Sequence, residues 1–160
     1  MDTNVLLAVI FDTVMVSTLL FASVRGGRPE RIGVVINVAG LSATTIVRLM
    51  SSSAGWAPGG ASILLIDLIV AAGFFWLGIT TIRFWPIWAA GFALSNLFMS
   101  VLGGLLPRVP LFAYHSQLGI YAYLALGALA LGTYRLPRNA APHIRNGSRR
   151  SWLQHHKETN

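Results

Sequence analysis

The stretch "SILLIDLIVAAGFFWLGITTI" (Ser62–Ile82) carries a single charged residue, Asp67, in a run of apolar and small residues. At about 1.5 Å of rise per residue, its length matches the roughly 30 Å hydrocarbon core of a bilayer. Backbone in lipid must satisfy its own N–H and C=O groups, so such a run is expected to be a helix. Four further stretches read the same way: Val5–Val24, Ile32–Met50, Trp85–Leu106 and Leu111–Tyr134. None shows the alternating pattern of a barrel strand. The expected fold is therefore all-α, a polytopic membrane helix bundle of about five transmembrane helices.

Composition points the same way. Of 160 residues, 54% are hydrophobic and only 11% are charged, whereas an ordinary soluble domain carries about 25% charged residues. The mean hydropathy is +0.63. The absence of cysteine excludes disulfides, thiolate metal sites, covalently attached haem and iron–sulfur clusters. The opening "MDTN" (Met1–Asn4) has no Lys or Arg, unlike the positive n-region of a secretory signal, so the first apolar stretch is expected to be a retained span.

The breaks between spans are short. "RGGRPER" (Arg25–Arg31) is a charged glycine–proline turn, and "SSSAGWAPGG" (Ser51–Gly60) is a small-residue loop. "RFWP" (Arg83–Pro86) is a tight turn with a proline suited to the first turn of the next helix, and "PRVP" (Pro107–Pro110) separates the last two spans. Residues 1–135 are expected to form the transmembrane bundle. Residues 136–160 are expected to be a basic, mostly disordered cytoplasmic tail.

Lys and Arg set the orientation. Arg25, Arg28, Arg31, Arg83 and the six basic residues from Arg135 onward share one side, while Arg48 and Arg108 stand near the other. The N-terminus is expected outside and the C-terminus in the cytoplasm. Trp85, Trp88 and Tyr134 are expected to mark the inner interface, and Trp56 and Tyr114 the outer one. The net charge of +7 then reflects topology and anionic lipid rather than nucleic acid.

That orientation places four ionisable residues in one layer. Asp12 lies roughly 10 Å, Asp67 roughly 8 Å, His115 roughly 6 Å and Arg48 roughly 3 Å below the outer edge. A charge in lipid costs about 2.5–3.5 kcal/mol on insertion scales, so such groups normally face a bundle interior and pair. Arg48 is expected to pair with Asp12 or Asp67, with His115 nearby. Structurally, the pair fixes helix register; functionally, it is a proton or ion pathway. An acid that faces a partner protein is a further case.

Two helical faces are expected to be packing seams. Gly33, Asn37, Gly40, Thr44 and Arg48 recur at helical spacing in the second span. In the fourth, Ala89, Ala93, Asn96, Ser100 and Gly103 do so. Small residues let helices approach closely, and Asn can bond across them.

No hydrolase, zincin or phosphate-binding motif is present. His115 is the lone histidine within a span and a single axial ligand makes no haem site, so neither a cofactor nor a metal is expected. Arg145, Arg149, Arg150 and Trp152 are expected to lie against the anionic cytoplasmic leaflet.

Three stretches carry a resemblance: "GRPERIGVVIN" (Gly27–Asn37), "RFWPIWAAGFAL" (Arg83–Leu94) and "YAYLALGALALGTYR" (Tyr121–Arg135). They resemble small uncharacterised inner-membrane proteins of sphingomonad-type alphaproteobacteria. The likeness covers most of the membrane part, stops at the tail, implies a bacterial inner membrane and carries no activity. The expected function is that of a non-enzymatic accessory or assembly subunit of a larger inner-membrane complex. The alternative is a small proton- or ion-coupled transporter using Asp12, Asp67 and Arg48. Expected partners are the lipid bilayer, anionic headgroups, and other membrane proteins or a second copy, with no nucleic acid. A cysteine introduced at Arg28 should react with a membrane-impermeant maleimide only from the cytoplasmic side; labelling from the periplasm would reverse the orientation.

Overall fold

Glycine and proline set the helix boundaries at one end of the molecule. α1 (Thr3–Arg25) stops at Gly26 and Gly27, and α2 (Arg28–Met50) restarts with Pro29 in its first turn. α3 (Ala61–Thr80) is followed by a tight turn, and α4 (Trp85–Leu105) opens with Pro86 in its first turn. Proline is tolerated there because the first N–H groups of a helix have no intrahelical partner. α5 (Leu111–Tyr134) and two short helices, α6 (Pro142–Asn146) and α7 (Arg149–Thr159), complete the chain. This computed structural model describes residues 3–50, 61–105 and 111–159. Residues 51–60 and 106–110, with Trp56 and Arg108, lie outside the described residues, as does the side chain of Tyr114.

Among the described residues, four helical stretches are long and apolar enough to cross a membrane: Val5–Arg25, Arg28–Val47, Ala61–Thr80 and Trp85–Leu102. The described part of α5 adds an apolar helix over Ile120–Tyr134. The long helices pack as a ring in chain order. α2 lies beside α1 and α3, α4 lies between α3 and α5, and α5 closes the ring on α1 while also touching α2. The outside is greasy, with Leu20, Val35, Ile69, Phe98 and Trp88 exposed.

The core sits towards the end where α1 turns into α2 and α3 into α4. Its centre is Trp85, which has no exposed surface. The indole meets Phe74 of α3 edge-on, at 6.1 Å between ring centres. Two glycines also lie against it. A Cβ on Gly33 of α2 or on Gly132 of α5 would collide with the ring. In lipid the hydrophobic effect does not drive helices together, so close van der Waals packing of this kind has to. Trp85 is thus a core residue and not the interfacial anchor expected from its position beside a span end. Trp88, one turn further on, is exposed.

The expected seams divide in their roles. Gly33 packs on Trp85, and Gly40 lets Val70 of α3 approach. Asn37, by contrast, donates from Nδ2 to the Gly33 carbonyl of its own helix at 2.9 Å. Ser100 of α4 is buried and Asn96 half-buried; Gly103 lies outside the described side chains. Several hydroxyls do as Asn37 does, Thr81 and Thr133 each donating to the carbonyl four residues earlier.

Residues 136–159 are not the mostly disordered tail that composition suggests. Leu136 is buried, and α6 and α7 follow. Gly147 takes a left-handed conformation (φ 62°) and caps α6. Its carbonyl accepts the Ile82 N–H at 2.9 Å, and Ser148 pairs with Thr81 in an antiparallel bridge. A ring stack joins α7 to α6, His143 on His155 at 4.1 Å, and within α7 Trp152 stacks on His156 at 5.4 Å. Composition measures how little apolar surface a segment can bury alone; here the α3–α4 turn supplies the partners.

The glycines yield a graded test in detergent-solubilised protein. Gly33→Val and Gly132→Val should each cost about 1–3 kcal/mol of stability or more, through overpacking against Trp85. Gly91 and Gly127 would place a Cβ in open space, so Gly91→Ala and Gly127→Ala should be neutral or stabilising by up to about 1 kcal/mol. Thermal unfolding followed by tryptophan fluorescence separates the two groups.

Candidate functional site

Glu30 stands at the third position of α2, where a side chain can reach back to the residue preceding the helix. It does so: its Oε2 accepts the Gly27 N–H at 2.8 Å. Its Oε1 accepts the indole N–H of Trp85 at 3.1 Å. Arg83 Nε lies 3.5 Å from the same oxygen, an ionic contact without a formed hydrogen bond. Glu30 is 0% exposed. An unpartnered buried carboxylate would be costly, and two hydrogen-bond donors and one neighbouring positive charge offset that cost.

The network runs outward from the carboxylate. Arg83 donates from Nη2 to the Ile144 carbonyl at 2.9 Å, joining the α3–α4 turn to α6. A Cβ on Gly27 would strike the Arg145 carbonyl, and one on Gly147 would strike the Pro29 ring, so the C-terminal segment packs closely on the start of α2. Arg28 reaches Asn146 Oδ1 at 3.4 Å. Arg25 lies over the rings of Phe21 and Tyr134, and Arg135 over Phe84. Glu30 therefore couples α2, α4, the α3–α4 turn and the C-terminal segment. With its oxygens engaged and no exposed surface, it is a structural lock in this state.

Sequence reasoning missed Glu30. The signal was present: a glycine, then a helix start with proline at its second position and glutamate at its third. What no spacing could supply is the partner, since Trp85 lies 55 positions away along the chain.

The expected intramembrane cluster is partly visible. Asp12 precedes the end of α1, and Asp67 the end of α3, by the same number of residues, so both stand roughly 20 Å from the Glu30 end. Their faces differ. Asp67 is half-buried and engaged, on the stripe of α3 that continues through Val70, Ala71, Phe74 and Leu77 into the core. Asp12 is exposed. It shares its stripe of α1 with Val16, Leu20 and Val24, all exposed, while Phe11 on the neighbouring stripe packs edge-on against Tyr123 of α5 at 5.1 Å. The side chains of Arg48 and His115 lie outside the described residues.

Most of the basic residues collect at the opposite end from these acids. Arg25 closes α1, Arg28 and Arg31 open α2, Arg83 lies in the α3–α4 turn, and Arg135, Arg138, Arg145, Arg149, Arg150 and Lys157 follow α5. Arg145, Arg149, Arg150 and Trp152 are exposed there.

Together these features define a helix bundle of membrane-spanning length, locked at one basic end by a buried carboxylate. Comparison with protein-family models, curated proteins and solved structures finds no match.

The lock predicts a pattern of stabilities. Glu30→Ala should cost about 3–5 kcal/mol, because it leaves Arg83 without its counter-charge and the Trp85 N–H without its buried acceptor. Removing both charges in Glu30→Ala/Arg83→Ala should cost less than the sum of the single changes. Denaturation midpoints of the four proteins in detergent measure the coupling.

Proposed function

We propose that this chain is a five-span, non-enzymatic protein of a bacterial inner membrane, with its N-terminus outside and its C-terminus in the cytoplasm. In that membrane it serves as an accessory or assembly subunit that packs beside another membrane protein or a second copy. The resemblance to sphingomonad-type inner-membrane proteins supports the compartment, and the one-sided arginines support the orientation.

Asp12 carries the proposal. It lies within an apolar span and is exposed on the outward stripe of α1. A carboxylate facing hydrocarbon there costs about 2.5–3.5 kcal/mol or more, and a donor on an adjacent transmembrane helix relieves that cost. The bundle's own interior cannot do so while Asp12 faces outward. A partner helix against Val16 and Leu20 would cover the acid and its apolar neighbours together.

A second reading is favoured by Asp67. Its place on the core-facing stripe of α3 suits a proton or ion pathway, with Asp12 and Arg48 as further groups of a small coupled transporter.

The two separate experimentally. Purification from native membranes in mild detergent should recover a stoichiometric partner or a homo-oligomer. Asp12→Leu should lose that association while the melting temperature is kept or raised. An unchanged assembly in Asp12→Leu defeats the accessory reading. Proton flux in vesicles that Asp67→Asn abolishes would establish the transporter.

A further inference from the structure

Beside the Glu30 lock, an open groove of about 550 Å³ lies between the start of α2 and the end of α6. Three arginines line it: Arg28 and Arg31 from α2, and Arg145 from α6. Asn146 closes the side between Arg28 and Arg145, its Oδ1 3.4 Å from the Arg28 guanidinium. All three arginines are exposed, so their guanidinium groups are available to a ligand. Glu30, the acid of this turn, is turned inward onto Trp85 and is fully buried, so it leaves the groove's charge uncompensated.

The floor of the groove differs from its rim. Ile32 and Val35 form it. Val35 is 65% exposed, one turn beyond Arg31, and the same face of α2 continues through Val38 and Ser42 to Ile46, all exposed. A ligand seated here would meet guanidinium donors at one end and an apolar helix face at the other. That order of polar and apolar walls matches a phospholipid whose phosphate lies at the interface and whose chains run along the span.

We propose that this groove binds the headgroup of one anionic glycerophospholipid. Arg28, Arg31 and Arg145 hold the phosphate through charge-assisted hydrogen bonds, and the acyl chains lie along Val35 and Val38. The site rests on the membrane placement proposed above, with the basic end at the anionic leaflet. It is distinct from diffuse attraction by Arg149 and Arg150 on α7, which lie outside the groove. It also gives Gly27 a second role. The close approach of Gly27 to the Arg145 carbonyl brings the third arginine to the other two.

Native mass spectrometry of the full-length protein in mild detergent tests this, with dioleoyl phosphatidylglycerol and dioleoyl phosphatidylcholine as probes of equal chain length. One phosphatidylglycerol should be retained at least tenfold better than phosphatidylcholine. Arg28→Gln/Arg31→Gln/Arg145→Gln should abolish that preference, and Arg149→Gln/Arg150→Gln should keep it. Because Arg28 also contacts Asn146, Arg31→Gln alone serves as the variant that leaves the α6 contact intact, and it should weaken retention several-fold at an unchanged melting temperature. Equal retention of the two lipids overturns the proposal, as does loss of the preference in the α7 variant. Displacement of the bound species by millimolar inorganic phosphate would assign the groove to a free anion and overturn the lipid. Alkaline washing of native membranes reports separately on membrane integration, so a failed groove and a failed membrane placement give different results.

Discussion

The basic end of this protein depends on one buried carboxylate. Glu30 is held by a backbone N–H of its own helix start, by the indole N–H of Trp85 and by the charge of Arg83. These partners come from three places in the chain, so satisfying the acid requires α2, α4 and the α3–α4 turn to meet in one register. Trp85 gives the same junction its bulk, and Gly33 and Gly132 give it room. Polar pairing and steric fit thus fix the same arrangement, which is why a charged group can sit at the centre of a small core.

What happens at that end also decides the fate of the C-terminal segment. Arg83 holds the Ile144 carbonyl with one nitrogen while another faces Glu30. The backbone of Ile82 pairs with Gly147, whose left-handed conformation lets the chain pass close to Pro29. A polar stretch that could not bury enough surface to order itself is ordered by a turn already made rigid. The arginines of α6 are thereby brought beside those of α2, and charge that is dispersed along the chain becomes concentrated in space.

The acids of the spans follow a different logic. Asp67 is on the inward stripe of its helix, where a neighbour can meet it. Asp12 is at the same level but on the outward stripe. Hydropathy sees two equivalent interruptions of apolar runs. The difference lies in rotation about the helix axis, and that rotation is set by the packing of Phe11, Met15, Leu19 and Ala22 into the bundle. Of the two, the outward acid would make the greater demand on a surrounding membrane, because hydrocarbon offers no hydrogen bond.

By itself the sequence determined that the chain is helical, that several of its stretches are long and apolar enough to span, and that glycine and proline break them at the Glu30 end. These follow from length, hydropathy and local turn chemistry, which are properties of short windows. The close approaches at Gly33 and Gly40 were legible for the same reason, since helical spacing places small residues on one face. Only the tertiary structure decided that Trp85 is core rather than interface, that Glu30 is a site at all, that residues 136–159 are folded and that Asp12 faces outward. Each of these depends on which side of a helix meets which distant residue, and a window of sequence holds no information about a partner dozens of positions away.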